Sequence, residues 1–411
     1  MARHVAFVAP FALESTLRFV QALARLEGVR LAVLTQEPAG RLEARLGVPG
    51  VVVERIGDAH DPAQLEAGVR AASAALGGRI DVLSAILEPL QVPLAQVRER
   101  LGIRGMDAAE ARRFRDKAHM KDVLRENDLP CARHVLARSR DEALAFARDV
   151  LPLVAKPPAG AGARDTFRVE EISELERWMA QSPPSAARPL LLEEFVQGEE
   201  FSFDSITVGG EHVLHSINEY TPTPLQVMET PWIQWTVLSP RELDDAAYAD
   251  IHAAGPRALD ALGMVTGITH MEWFRRGDGS IAISEVAARP PGAQFTSLLS
   301  YVYDLDMYKA WAELTAFERF EAPPRKYAAG AAYLRGQERG GGAGRVAQVR
   351  GLEQARDELG DLVCEAKIPQ PGQPRAESYE GEGYLILRDE NTDRVRDGLR
   401  RAVEILQVDL A

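Results

Sequence analysis

Residues 267–291 read GITHMEWFRRGDGSIAISEVAARPP. Two runs of alternating apolar residues flank Arg276-Gly277-Asp278-Gly279-Ser280, the composition of a hairpin turn, so the stretch predicts two antiparallel strands. Glu272 and Glu285 stand thirteen residues apart on those strands, a spacing that brings both carboxylates to one face. Two close, part-buried carboxylates repel, and one protonates unless a divalent cation neutralises the pair. An all-oxygen donor set favours Mg2+ or Mn2+ over zinc, whereas an exposed hairpin face would leave both acids as plain surface charge. Arg289 leaves the second strand just ahead of Pro290, where a planar guanidinium can grip a carboxylate or a phosphoryl group, or simply pair with a nearby acid. His270 shares the strand face of Glu272, as a substrate contact or as an ordinary sheet histidine.

Upstream, LLEEFVQGEEFSF at 191–203 places Glu193, Glu194, Glu199 and Glu200 around a turn. Strand alternation sends Glu193 and Glu194 to opposite faces, so one of them can enter a pocket; an edge strand blunted by charge is the competing reading. Earlier still, Lys156 ends an apolar run and is followed by PPAGAGARD. Gly160 and Gly162 leave room for backbone N–H groups to approach phosphate oxygens, although glycine is also common in structural turns. Lys156 is expected as an unburied strand-end charge. Lys117 lies near the start of a charged helix, ARRFRDKAHMKDVLRENDLP, whose buried stripe runs through Met120, Val123 and Leu124. Alone it reads as a solvated lysine, but a helix lysine and a strand-end lysine together can clamp one polyphosphate.

The chain has 411 residues, too many for one compact core, with 46% hydrophobic and 27% charged residues, the balance of a globular protein. Its 48 basic and 61 acidic side chains give a net charge of −13, so no global field attracts nucleic acid or a membrane surface. The cysteines, Cys131 and Cys364, are too few for a disulfide framework or a thiolate metal site, and a reducing cytoplasm fits them best. Pro10 and Glu14 interrupt the first apolar run before it reaches signal-peptide length, and no 18-residue apolar run exists, so the protein is expected to be soluble and cytoplasmic.

Runs at 4–9, 29–34, 51–56 and 80–86, with helical periods at 15–26 and 64–76, predict a parallel α/β opening that lacks a GxGxxG dinucleotide fingerprint. Beyond about residue 109 the pattern is α+β, with hairpin turns suggesting an antiparallel sheet, a closing helix at 296–317 and a linker at 321–326. The segment 218–239, with Trp232 and Trp235, is expected as an irregular loop over a substrate pocket or over the core. The fold class is therefore α/β and α+β, multi-domain, divided at 1–112, 113–318 (113–190 and 191–318) and 319–411.

Taken in order, these residues resemble the ATP-grasp superfamily, most specifically over 113–316. The match comprises Asp116-Lys117 on a helix, Lys156 before a glycine loop, an acidic hinge Glu193-Glu194-Phe195-Val196, Glu200, the pair Glu272 and Glu285, and Arg289 four residues on. The likeness is to biotin carboxylase and D-alanine–D-alanine ligase architectures, and more closely to carboxylate–amine ligases of the L-amino acid ligase type. It implies an ATP-grasp fold with an amino-terminal parallel pre-ATP-grasp domain, a lid-bearing subdomain, a catalytic sheet and a carboxy-terminal biotin carboxylase-like closing domain. It implies ATP and Mg2+ (or Mn2+) as cofactors, with Lys117, Lys156, Gly160 and Gly162 at the phosphates. The hinge would hold adenine and Glu200 the ribose, with metal on Glu272 and Glu285 and catalysis by Arg289, with His270 the next candidate. Where many members carry a metal-binding Asn, this chain has Ala287.

The implied reaction is ATP-dependent amide or peptide bond formation through an acyl phosphate, with a carboxylate and an amine, amino acids among them, as substrates. No nucleic acid or membrane partner is expected, and a homodimer is an allowed assembly. Two other readings stay open: a carboxylase or formate-activating enzyme acting on a nucleotide precursor, and a catalytically silent ATP-binding sensor or subunit.

Overall fold

Four short apolar strands, Arg3–Val8 (β1), Val29–Thr35 (β2), Val52–Arg55 (β3) and Val82–Ser84 (β4), form a parallel sheet ordered β3-β2-β1-β4. Phe7 and Phe19 on this unit meet Trp311 edge to face, the latter pair at 4.8 Å, so the first sheet shares one apolar core with the middle of the chain. The computed structural model describes residues 2–158, 166–230, 232–244, 246–337, 344–376 and 378–411. Gly160 and Gly162 lie outside the described residues.

A small antiparallel sheet follows, built from His134–Ala137 (β5), Leu153–Lys156 (β6), Phe167–Val169 (β7) and Leu190–Glu194 (β8) in the order β5-β8-β6-β7. Among the described residues the large sheet has eight strands, all antiparallel. Gly198–Val208 (β9), Glu211–Thr221 (β10), Trp235–Ser239 (β11), Gly267–Arg276 (β12), Ile281–Ala287 (β13) and Ala328–Leu334 (β14) run in the order β13-β12-β9-β10-β11-β14. Gly383–Asp389 and Val363–Lys367 extend it beyond β14, so residues after 318 complete the same sheet. The hairpin between β9 and β10 turns at Gly209 and Gly210, both at positive φ (58° and 88°), which only glycine adopts without strain. Among the described residues no helix is long and apolar enough to cross a membrane.

Three expectations are corrected. The charged helix at 109–130 is two helices, Ala108–Arg115 and Lys117–Glu126, because Asp116 leaves helical geometry and its carboxylate accepts hydrogen bonds from Ala118 N and His119 N at 3.0 and 3.1 Å. The helix at 296–317 also breaks, into Phe295–Tyr303 and Met307–Phe317, where Asp304 takes a left-handed conformation and Asp306 caps the second helix. The segment 218–239 is largely ordered: it holds the end of β10, the helix Pro224–Glu229 and β11. Trp235 on β11 is buried and stacks on Tyr333 at 4.4 Å, whereas Trp232 is exposed.

Candidate active site

The small sheet and the large sheet face each other across a cleft lined by Lys117, Lys156, Glu193, Glu194, Phe195, Val196, Glu200, His270, Glu272, Glu285 and Arg289. Lys117 reaches it because Asp116 restarts the helix one residue earlier; its backbone N–H bonds Pro158 O at 3.1 Å, which ties the helix to the edge of the loop after β6. The Lys117 side chain is buried and ion-paired with Glu285, which replaces the solvated-lysine reading. Lys156 is likewise not the unburied charge expected: its ammonium lies 2.8 Å from Glu193 Oε2, with the side chain only 12% exposed. Lys121, one turn beyond Lys117 and fully buried, lies 3.0 Å from Glu193 Oε1 and donates to Ser284 O. The Lys121–Glu193 contact is ionic rather than a well-angled hydrogen bond, since that Glu193 oxygen has no hydrogen-bond partner.

Charge pairing sets the protonation states. Burial opposes ionisation of Glu193, but Lys121 and Lys156 outweigh it and hold the carboxyl down at about 2. Burial likewise opposes ionisation of Glu285, which Lys117 and Lys156 bring to about 2. Burial lowers the Lys121 pKa, while Lys156, facing both Glu193 and Glu285, is held above the usual lysine value in spite of burial. At Glu200 the balance reverses, because Lys156 and His270 favour the charged form too weakly. Burial and the neighbouring Glu272 carboxylate push its pKa well above the ordinary range.

At one end of the cleft, Glu194 N donates to Arg133 O at 2.8 Å and Phe195 N to Pro152 O at 3.1 Å, so the chain leaving β8 is pinned on its backbone. The Glu194 carboxylate takes Arg276 at 2.6 Å, and the Arg168 guanidinium stands 4.1 Å from the Phe195 ring centre. Val154, Phe195, Val196, Phe274 and Ile283 give this end apolar walls of the kind a planar base fills. Glu193, grouped with the hinge by sequence, has its carboxylate taken by the lysines instead.

At the other end, Glu272 and Glu285 are direct cross-strand partners on β12 and β13. Among the described residues no three Asp, Glu, His or Cys side chains cluster as a complete metal cage. Two facing carboxylates with the charge-strained Glu200 beside them nevertheless suit a hard divalent cation whose remaining ligands are phosphate or water oxygens. Ala287 is buried opposite His270 and offers no side-chain ligand. His270 donates from Nδ1 to Asp204 Oδ1 at 2.5 Å; burial would lower its pKa, but Asp204 raises it to about 9. Asp204 Oδ2 in turn accepts from Asn218 at 2.8 Å. Arg289 Nη2 lies 2.9 Å from Glu88 Oε2.

Sequence reasoning missed Lys121, Asp204 and Glu88. Lys121 had a signal, since it follows Lys117 by four residues and so shares its helix face. Asp204 had one too: Glu200, Ser202 and Asp204 alternate with Phe201 and Phe203 along β9 and are buried on one polar face. Glu88 had none.

A parallel amino-terminal domain followed by two α+β units that close on one charged cleft is the ATP-grasp fold, and solved structures agree. The chain aligns over its whole length with an L-amino acid ligase from Bacillus licheniformis, at a TM-score of 0.77 and 18% identity, covering 100% of this chain and 99% of that one. It aligns equally fully with N5-carboxyaminoimidazole ribonucleotide synthetase from Thermotoga maritima, at a TM-score of 0.72 and 18% identity, covering 100% of each. Among curated proteins it is 24% identical over 228 residues to an L-arginine-specific L-amino acid ligase of Bacillus subtilis, 54% of either chain. The chain spans about half the length of the curated relatives it matches. No family model matches it.

Proposed function

We propose that the chain is an ATP-dependent carboxylate–amine ligase that forms an amide or peptide bond through an acyl phosphate and releases ADP and phosphate, with amino acids as the substrate class. The observation that carries this reading is one cleft that gathers Lys117 from its helix, Lys156 from the end of β6, the facing Glu272 and Glu285, and Arg289 just beyond β13. The ligase names of the relatives support it. The apolar walls at Phe195 and Val196 would receive adenine, and Lys117 and Lys156 the phosphates. Glu272 and Glu285 would hold Mg2+, which when bound offsets phosphate charge against an anionic nucleophile.

The substrate carboxylate oxygen attacks the terminal phosphorus and the bond to ADP breaks; the amine then attacks the acyl carbon and phosphate leaves. Arg289, two residues beyond β13, would bind the oxyanions of both steps. The similar fold of the carboxyaminoimidazole synthetase keeps carboxylation as the second reading. Phosphate release screened over the twenty amino acids in pairs, with bicarbonate and formate in parallel and mass spectrometry of each hit, separates them. Release only with bicarbonate or formate would overturn the ligase assignment, and nucleotide binding without release in any well would favour a silent sensor.

Arg289→Lys keeps the charge but loses the planar fork. Turnover is expected to fall about tenfold to a hundredfold, with the Michaelis constant for ATP little changed, because the lost contacts form mainly in the transition state. Intact turnover with a lowered melting temperature would make Arg289 a structural salt-bridge residue.

A further inference from the structure

Glu88 comes from outside the two sheets that form the cleft. It opens the short 3-10 turn Glu88–Leu90, four residues after β4 of the amino-terminal sheet, yet it lines the cleft and is buried. Each of its oxygens meets one guanidinium: Oε1 receives Arg115 Nη1 at 3.1 Å and Oε2 receives Arg289 Nη2 at 2.9 Å. Both arginines sit where chain direction is decided. Arg289 follows β13 by two residues, and its Nη1 donates to Pro290 O at 3.2 Å, so two donors fix the plane of the fork. Arg115 ends the helix Ala108–Arg115, immediately before Asp116, the residue that caps the helix bearing Lys117.

The geometry points to Glu88 as a positioning residue: one carboxylate from the amino-terminal domain sets the guanidinium plane of Arg289 and anchors the helix junction ahead of Lys117, for an anion held in the cleft. A charge serving only to hold the domains together has no need to sit inside the cleft or to grip the groups that frame the reacting end. The amino-terminal sheet is on this view a working part of the site. The inference rests on the ligase reading only for the identity of the anion.

Orthovanadate, a tetrahedral phosphate mimic, titrated calorimetrically into the enzyme with Mg2+ and ADP, tests it without a known substrate. Glu88→Gln removes the charge; Glu88→Asp keeps the charge but is one methylene too short to serve both guanidinium groups. Both variants are expected to bind vanadate about tenfold or more weakly, with ADP affinity within about twofold of wild type, since only the anion end is misaligned. Phosphate-release turnover should fall by a similar factor. Wild-type vanadate affinity and turnover in Glu88→Asp, whatever its melting temperature, would overturn the assignment, and this variant decides alone if Glu88→Gln does not fold. Wild-type protein that binds no vanadate would overturn it as well. A wild type that binds vanadate but releases no phosphate with any amino-acid pair counts against the ligase reading, while the vanadate comparison still decides the role of Glu88.

Discussion

Glu285→Gln is expected to lower turnover by about a thousandfold or more, equivalent to roughly 4 kcal/mol of transition-state stabilisation. The residue has two tasks in the structure. It faces Glu272 across the β12–β13 hairpin, and it is the ion-pair partner of Lys117. A neutral amide still accepts a hydrogen bond from Lys117, so the fold should survive, but the facing pair loses half its charge and with it much of its hold on a divalent cation. The apparent Mg2+ requirement should rise, while ADP affinity measured without metal stays within about threefold of wild type, because the adenine end at Phe195 and Val196 is untouched. Wild-type turnover with an unchanged Mg2+ dependence would remove Glu285 from the proposed metal pair.

What was legible in the sequence is what depends on short-range spacing. Glu272 and Glu285 could be paired in advance because a hairpin turn is local and strand alternation is fixed, and the structure makes them cross-strand partners. Lys156 and the residues leaving β8 were found for the same reason: each sits where an apolar run ends. Legibility fails where long-range burial decides. Lys117 and Lys156 read as solvated charges, but Glu285 and Glu193, far along the chain, draw them inside. Glu88 touches Arg289 from 201 residues away, a contact that no local pattern encodes. The two broken helices show a third limit. Helical periodicity runs through Asp116 and Asp304, and only the capping chemistry of Asp116 and Asp306 reveals that the chain restarts there.

Glu193 is the position where stability, rather than turnover, should respond most. Its carboxylate is the shared counter-charge of Lys121 and Lys156, and Lys121 is fully buried. Glu193→Gln leaves Lys121 buried without its ion-pair partner and Lys156 with Glu285 facing it instead, a loss of about 3 to 5 kcal/mol by denaturant unfolding at neutral pH. The pH dependence carries the diagnostic sign. In the wild type the folded-state pKa is depressed, so the stabilisation is complete above the unfolded value of about 4.3 and is lost as pH falls toward about 2. The variant should have a shallower acid limb, lacking the share of Glu193 and keeping that of Glu285. It should instead regain stability as pH rises from neutral toward about 10, because Lys121, whose pKa burial already lowers, can then enter the folded state uncharged. If Glu193→Gln costs less than about 1 kcal/mol at pH 7 and its acid limb runs parallel to that of the wild type, the lysines are hydrated in solution and Glu193 is free to meet the nucleotide directly.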